Sequence, residues 1–133
     1  MSDIPSIAGL KVMVIDDSNT IRRSAEIFLR QAGCTVILAE DGFDALAKAA
    51  DHEPDLIFCD VLMPRLDGYQ ACALIKKSPT LHDTPVVMLS SKDGLFDRAR
   101  GRLVGCEDYL SKPFSKDSLL RTVARYAQRT ADV

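Results

Sequence analysis

Apolar residues along this chain form five short continuous runs, which are separated by longer segments with helical spacing. The runs lie at residues 10–15, 35–39, 56–59, 85–89 and 108–110. Continuous apolar runs of this length are typical of strands that a parallel sheet buries on both faces. The segments between them carry apolar stripes of period 3.6 and predict helices. Strict alternation of the two predicts an α/β fold, with a five-stranded parallel sheet and helices on both of its faces.

Capping residues mark the predicted helix ends. The first helix carries an apolar stripe from Ile21 to Ala32, and Gly33 follows where a helix C-terminus favours positive φ. Later helices begin after three N-cap residues: Asp41, Asp67 and Ser115. The segment 94–105 predicts an unstable helix, because its interior Gly101 costs roughly 1 kcal/mol relative to alanine. We therefore expect this helix to belong to the mobile part of the fold, from which switching elements are drawn.

Composition and charge limit the classes of function. The chain has 133 residues, 47% hydrophobic and 27% charged, as expected for one globular domain. We predict an N-terminal extension over 1–9, the domain over 10–129 and a tail over 130–133. A net charge of −2 provides no positive field for nucleic acid. No apolar run approaches the roughly 20 residues that cross a bilayer, and no secretion signal is visible, so we expect a cytoplasmic protein without membrane insertion.

The four cysteines give no sign of a metal or redox site. Cys34, Cys59, Cys72 and Cys106 show neither CxxC spacing nor a paired histidine. They are expected to be small buried hydrophobic residues. Cys59 lies beside Asp60 and could sense oxidants, but its position inside an apolar run is typical of an inert thiol.

Polar residues end four of the five predicted strands, at the edge where a parallel α/β sheet binds ligands. They are Asp16 and Asp17, Asp60, Ser90 and Ser91, and Ser111 and Lys112. Singly, each has an ordinary explanation as a helix cap, a turn contact or a solvated charge. Together, three carboxylates at one edge would raise one another's pKa values unless positive charge lay among them. The pattern predicts a hard cation with oxygen ligands, for which Mg²⁺ is suited.

The remaining polar groups at this edge suit phosphate chemistry. Lys112 can hold a phosphoryl oxygen as a point charge, and Ser90 can donate a hydrogen bond to another. A carboxylate beside a metal is a competent nucleophile toward phosphorus. Asp60 is the candidate, and it would form an aspartyl phosphate.

In order and spacing, these residues resemble the receiver domain of two-component response regulators over essentially the whole chain. The matching positions are Asp16 and Asp17, then Asp60 with Met63, Pro64, Asp67 and Gly68 behind it, then Ser90, then Lys112 and Pro113. The segments VIDDSNTIRR, MPRLDGYQACALIKK, MLSSKDGLFD and YLSKPFSK look closest to the stand-alone, chemotaxis-like regulators of type IV pilus twitching motility. The resemblance implies the three-layer, flavodoxin-like (βα)5 fold with strand order 2-1-3-4-5.

The resemblance also implies roles for the acidic residues. Asp60 would be the phosphoacceptor. Mg²⁺ would be held by Asp17, Asp60 and the backbone carbonyl of Leu62, with Asp16 helping through a water molecule. Leu62 and Lys92 would flank the path of an attacking water, so autodephosphorylation is expected while the phosphoryl lifetime stays open.

Further roles follow from the same resemblance for residues on the last two strands. Lys112 would contact the phosphoryl group, and its bond to Pro113 is expected to be cis. Ser90 and Tyr109 would be a switch pair, in which the hydroxyl moves toward the phosphoryl group and the ring turns inward. The output would be binding of a downstream protein to the face of the fourth helix, fifth strand and fifth helix, since no effector domain follows, unless this chain is a fragment.

The implied phosphodonor is a chemotaxis-type histidine kinase. Ile21, Arg22 and Arg23 of the first helix could help dock it, although exposed arginines are more often only solvated.

Three rival functions have their own sequence requirements. A phosphatase with an Asp nucleophile needs a second acid where this chain has Leu62, a nucleotide-binding module needs a glycine-rich motif absent here, and a phosphorylation-independent scaffold would leave the complete site unexplained.

Overall fold

The computed structural model describes residues 6–91 and 98–131. Its elements, in chain order, are β1 (Lys11–Ile15), α1 (Asn19–Gln31), β2 (Thr35–Ala39), α2 (Gly42–His52), β3 (Leu56–Asp60), α3 (Gly68–Lys77), β4 (Val86–Ser91), α4 (Arg98–Val104), β5 (Asp108–Lys112) and α5 (Lys116–Ala131). All the strand pairs are parallel, and the strand order is β2-β1-β3-β4-β5. The predicted flavodoxin-like topology is confirmed.

Two hydrophobic layers cover the sheet, because successive strand residues point to opposite faces. Met13, Ile57 and Met88 pack with α2, α3 and α4 on one face. Val14 and Phe58 pack with α1 and α5 on the other. These residues are fully buried, which confirms the prediction of a sheet covered on both sides.

Side-chain caps begin the helices as predicted. Asp41 Oδ1 accepts from the Asp44 N–H at 2.8 Å, and Asp67 forms a complete capping box with Gln70. Gly33, with φ of 90°, follows α1. The N-cap of α1 itself is Ser18, which leaves the preceding aspartates available for other contacts.

Strands β3, β4 and β5 extend further than the apolar runs predicted. Asp60, Ser91 and Lys112 are their last residues. The backbone pairing of the strands continues past the apolar residues into these polar ones. The register sets Asp60 opposite Leu89 and Ser91 opposite Lys112. Asp60, Ser91 and Lys112 are therefore held by the sheet, whereas Asp16 and Asp17 lie in the loop that follows β1.

The fourth predicted helix is described only in part. Residues 94–97 lie outside the described part of the chain, and α4 begins at Arg98. Gly101 is buried and lies against Tyr109, so its presence has a packing reason that the sequence did not reveal.

The cysteines are free thiols, with Cys106 half-buried and the other three buried. Burial raises the pKa of the Cys59 thiol well above its usual range, with its neighbouring acidic groups adding to the effect. That is the property of an inert thiol. No helix in the described ranges is long and apolar enough to cross a membrane.

Candidate functional site

Three carboxylates meet at the carboxyl-terminal edge of the sheet. Asp16, Asp17 and Asp60 each offer one carboxylate oxygen within 4.8 Å of the others. Asp16 and Asp60 are buried, whereas Asp17 is exposed. The neighbouring strands β1 and β3 bring them together, since Asp16 follows β1 and Asp60 ends β3. The predicted acidic cluster is thus present, and its hard oxygen donors fit Mg²⁺.

Lys112 reaches into this cluster from β5. Its Nζ lies 3.0 Å from Asp60 Oδ1 and 3.1 Å from Asp16 Oδ2. Burial and the Asp16 charge raise the pKa of Asp60 to about 6, against the opposing effects of Lys112 and the Leu62 N–H. Burial alone would lower the pKa of Lys112, but its hydrogen bonds to the two carboxylates outweigh burial and raise it. One ammonium therefore offsets only part of the negative charge at this edge.

The two oxygens of Asp60 have different surroundings. Oδ1 accepts hydrogen bonds from Lys112 at 3.0 Å and from the Leu62 N–H at 3.3 Å. Within residues 6–91 and 98–131, no hydrogen bond reaches Oδ2. Oδ2 is consequently the oxygen available to a ligand or to a reacting group.

Asp16 is fixed more completely than its neighbour Asp17. Its Oδ1 accepts from the Ser18 N–H at 2.9 Å, and its Oδ2 accepts from Lys112. The guanidinium of Arg22 donates to the Asp16 backbone carbonyl and to the Asn19 side chain. Arg22 thus supports the loop that carries the aspartates, a role that sequence reasoning missed when it treated this arginine as a solvated or kinase-docking residue.

Gly68 is a second residue whose physical role the sequence did not reveal. A methyl group on Gly68 would overlap the Asp60 carbonyl oxygen and stand 2.9 Å from Val61 Cα. The Gly68 N–H donates to the Val61 carbonyl at 2.9 Å. The start of α3 therefore packs directly on the backbone of the candidate nucleophile, which only glycine allows.

A cleft of about 220 Å³ opens beside Asp60. Its lining residues are Asp17, Asp60, Val61, Leu62, Ser90, Ser91 and Lys112. Ser90 is 4% exposed, whereas Leu62 is 68% exposed. The Lys112–Pro113 peptide bond beside the cleft is cis. Predicted residues from three strands thus share one cavity, and the exposed Leu62 side chain also lines it.

Tyr109 is not among the residues that line this cleft. It pairs in register with Met88 and packs on the sheet face covered by α2, α3 and α4. Ser90 follows Met88 by two residues and so points to the same face. The two residues of the predicted switch pair are therefore diagonal neighbours across β4 and β5. Lys92 lies outside the described residues.

Comparison with known sequences places this geometry in a family. The model of the response regulator receiver domain matches residues 12–124. Protein PilG of Pseudomonas aeruginosa is 66% identical over 115 residues, which cover 86% of this chain and 85% of PilG. Response regulator MprA of Mycobacterium sp. strain KMS is 36% identical over 122 residues, or 92% of this chain and 52% of MprA. The chain thus spans about half the length of that second relative.

Solved structures agree with the sequence comparison. Chemotaxis protein CheY4 of Vibrio cholerae is 35% identical with a TM-score of 0.84, and the match covers 90% of this chain and 99% of CheY4. The receiver domain of Francisella response regulator 1452 is 34% identical with a TM-score of 0.81, covering 92% of this chain and 99% of that chain.

Proposed function

The chain belongs to the response regulator receiver domain family, and from that membership we propose that it is a switch in which Asp60 accepts a phosphoryl group from a histidine kinase. Receiver domains are signalling switches rather than enzymes. The observation that carries the proposal is the geometry of Asp60, whose Oδ1 is held by Lys112 at 3.0 Å. Its other oxygen is left available to a reacting group.

The transfer requires a nucleophile, a charge partner and little else, because phosphoryl transfer depends mainly on positioning and electrostatics. Asp60 Oδ2 attacks the phosphorus of a phosphohistidine in line. The new O–P bond forms as the P–N bond breaks, and the departing imidazole nitrogen takes a proton from solvent. Lys112 then contacts a phosphoryl oxygen, and the Ser90 hydroxyl donates to another.

Mg²⁺ is the cofactor that this donor set fits. We assign it to Asp17, Asp60 and the Leu62 backbone carbonyl, with Asp16 acting through water. The carboxylates lie within 4.8 Å of one another, and Lys112 offsets one of three negative charges. When bound, the ion supplies positive charge that neutralises the carboxylates and the phosphoryl oxygens.

Phosphorylation adds charge and strong acceptor oxygens beside Ser90. In the proposed switch the Ser90 hydroxyl moves toward them, and the Tyr109 ring moves inward on the same sheet face. This biases the surface formed by α4, β5 and α5, where a downstream protein binds. Hydrolysis of the aspartyl phosphate resets the switch.

The biological setting that we propose is control of pilus-based twitching motility. The support is the resemblance of four segments to stand-alone regulators of that process, together with 66% identity to PilG. A chemotaxis-type histidine kinase is the corresponding phosphodonor. We propose a cytoplasmic location, in which the protein can meet such a kinase and its downstream target.

The decisive experiment is intact-protein mass spectrometry after incubation with acetyl phosphate and Mg²⁺. We expect the mass of one added phosphoryl group, lost with Asp60→Asn and strongly reduced with Asp17→Asn. Asp51→Asn is the matched control, since Asp51 is an exposed carboxylate of α2. An unmodified native protein would favour a phosphorylation-independent scaffold, and continuous release of phosphate from a phosphomonoester would favour a phosphatase.

A further inference from the structure

Tyr109 lies against Gly101 of α4. A methyl group on Gly101 would overlap the Tyr109 hydroxyl oxygen and stand 3.1 Å from Tyr109 Cζ and 2.8 Å from Cys106 Sγ. Gly101 is buried inside the helix, where glycine is the least favourable residue after proline. The absence of a side chain at this position is therefore what admits the tyrosine hydroxyl.

Tyr69 of α3 belongs to the buried cluster against which Tyr109 packs. It is only 5% exposed. Burial and the hydrogen bond to Tyr69 raise the pKa of Tyr109 above its usual range. The hydroxyl of Tyr109 is consequently surrounded by groups from α3, from α4 and from the turn between α4 and β5.

The Tyr69 ring contacts Arg100, and its backbone adjoins the start of α3. The Arg100 guanidinium lies 4.7 Å from the ring centroid, a cation–π distance, and also 3.4 Å from Asp67 Oδ2. On the other side, Tyr69 directly follows Gly68, which packs on the Asp60 backbone. A displacement of the backbone at Asp60 would therefore act on Gly68, and Tyr69 is the next residue in the chain.

We propose that Tyr69 and Gly101 are positioning residues, which together form a seat that holds the Tyr109 side chain against α3 and α4. The inference rests on the proposed function only in giving Tyr109 a signalling role, because the seat itself is a property of the unphosphorylated chain. It makes Tyr69 the link between the segment behind Asp60 and the ring that moves. Gly101 thereby belongs to the switch through packing rather than through weakness of its helix.

Fluorotyrosine NMR tests the seat directly, since the chain has three tyrosines and each gives one ¹⁹F resonance. We expect Tyr69→Phe to move the Tyr109 resonance in the unphosphorylated protein and to change the shift that acetyl phosphate induces. Phosphate incorporation measured by mass should stay within about twofold of the native protein. Leu103→Ala is the control, since Leu103 is 87% exposed on the same helix as Gly101.

A stability measurement gives an independent test, because the seat and helix propensity predict opposite changes in melting temperature for the same substitution. Gly101→Ala should lower the melting temperature, although alanine normally stabilises a helix interior. In a Tyr109→Phe background, which removes the overlapped hydroxyl, the loss should be smaller. If Gly101→Ala raises the melting temperature in both backgrounds, the seat does not exist.

The outcomes separate this inference from the proposed function. An unchanged Tyr109 resonance in Tyr69→Phe, with normal phosphate incorporation, overturns the seat and leaves the phosphoacceptor role standing. Absence of phosphate incorporation in the native protein overturns the phosphoacceptor role, and the resonance in the unphosphorylated chain still decides the seat. Should Gly101→Ala fail to fold, Tyr69→Phe decides between the two outcomes, because it removes one hydroxyl and keeps the ring.

Discussion

Two half-buried lysines pair with carboxylates at opposite ends of the sheet, and their surroundings differ in one respect. Lys76 pairs with Glu107 at 2.7 Å, and its Nζ also donates to the Thr84 carbonyl. Glu107 in turn accepts from the Val86 N–H at 2.6 Å. Charges here match one to one, and backbone groups form further hydrogen bonds with both side chains.

At the other end, Lys112 faces Asp16 and Asp60 together, with Asp17 within reach of both. The charges do not balance. The lysines themselves are equally exposed, at 16% of the side chain, but the carboxylates differ, since Glu107 keeps 20% of its side chain exposed whereas Asp16 and Asp60 keep 0% and 6%. The comparison teaches that a matched buried pair braces a fold, whereas an unmatched cluster requires a cation from outside and so indicates a binding site.

The largest effect is expected from breaking the matched pair. Lys76→Met keeps the aliphatic stem but leaves the Glu107 carboxylate without its cation, which should destabilise the fold by about 3 kcal/mol in urea unfolding. The double variant Lys76→Met, Glu107→Leu should recover most of that loss, because it leaves no uncompensated charge. A loss below about 0.5 kcal/mol would mean that the pair is no more than a surface ion pair.

Removing a charge from the unmatched cluster should stabilise the fold, whereas removing one from the matched pair should destabilise it. The pKa of Asp60 is about 6 in the fold against an ordinary 3.8, so the folded state binds the proton more tightly than the unfolded state. Its contribution to stability is present below about pH 4 and is lost as the pH rises through about 6. Asp60→Asn should thus stabilise the metal-free protein by about 2 kcal/mol at pH 7.5, less than the shift implies, because Lys112 loses a charged partner.

Urea unfolding of both proteins in EDTA across pH 4 to 8 checks this prediction. The advantage of Asp60→Asn should vanish near pH 4, where the native carboxyl is largely protonated. Asp51→Asn, at an exposed position, should show no such pH-dependent gain. A destabilised Asp60→Asn at pH 7.5 would contradict the picture of excess negative charge.

Binding of Mg²⁺ should neutralise part of the excess negative charge at this cluster. At ten times its Kd the ion is expected to stabilise the fold by roughly 1.4 kcal/mol. Asp17→Asn should abolish most of this gain, since Asp17 is the most exposed of the three carboxylates and a proposed direct ligand of the ion. The gain should persist in the Lys76→Met, Glu107→Leu variant, because that pair lies at the other end of the sheet. Thermal melting with and without Mg²⁺ measures each gain.

The difference between the two ends also explains what the sequence could predict. Asp16, Asp60 and Lys112 lie at the ends of separate strands, and parallel topology necessarily collects strand ends at one edge, so the site followed from the order of the elements. The apolar periods likewise defined the layers.

Contacts between side chains distant in sequence left no such pattern. The pairing of Lys76 with Glu107 and the support of Asp16 by Arg22 depend on where long side chains point, which periodicity does not encode. Gly101 is the clearest case, since helix propensity alone marks it as a weakness, whereas its close contact with the Tyr109 hydroxyl gives it a packing reason. Interactions set by packing between elements thus remained beyond sequence reasoning.

The smallest expected effect concerns access of water to the unmatched end. Leu62 lines the cleft and is 68% exposed, so its apolar side chain lies beside Asp60 without being able to orient a water molecule. Leu62→Asn introduces a donor and an acceptor there, and we expect the aspartyl phosphate to hydrolyse about fivefold faster, equivalent to about 1 kcal/mol of barrier. Leu103→Asn, a matching change on an exposed leucine of α4, should leave the rate unchanged. Decay of the phosphorylated mass after removal of acetyl phosphate measures both rates. An equal or slower decay in Leu62→Asn would show that water reaches the phosphoryl group by a path that Leu62 does not border, and control of water access would then have to be assigned to other residues of the cleft.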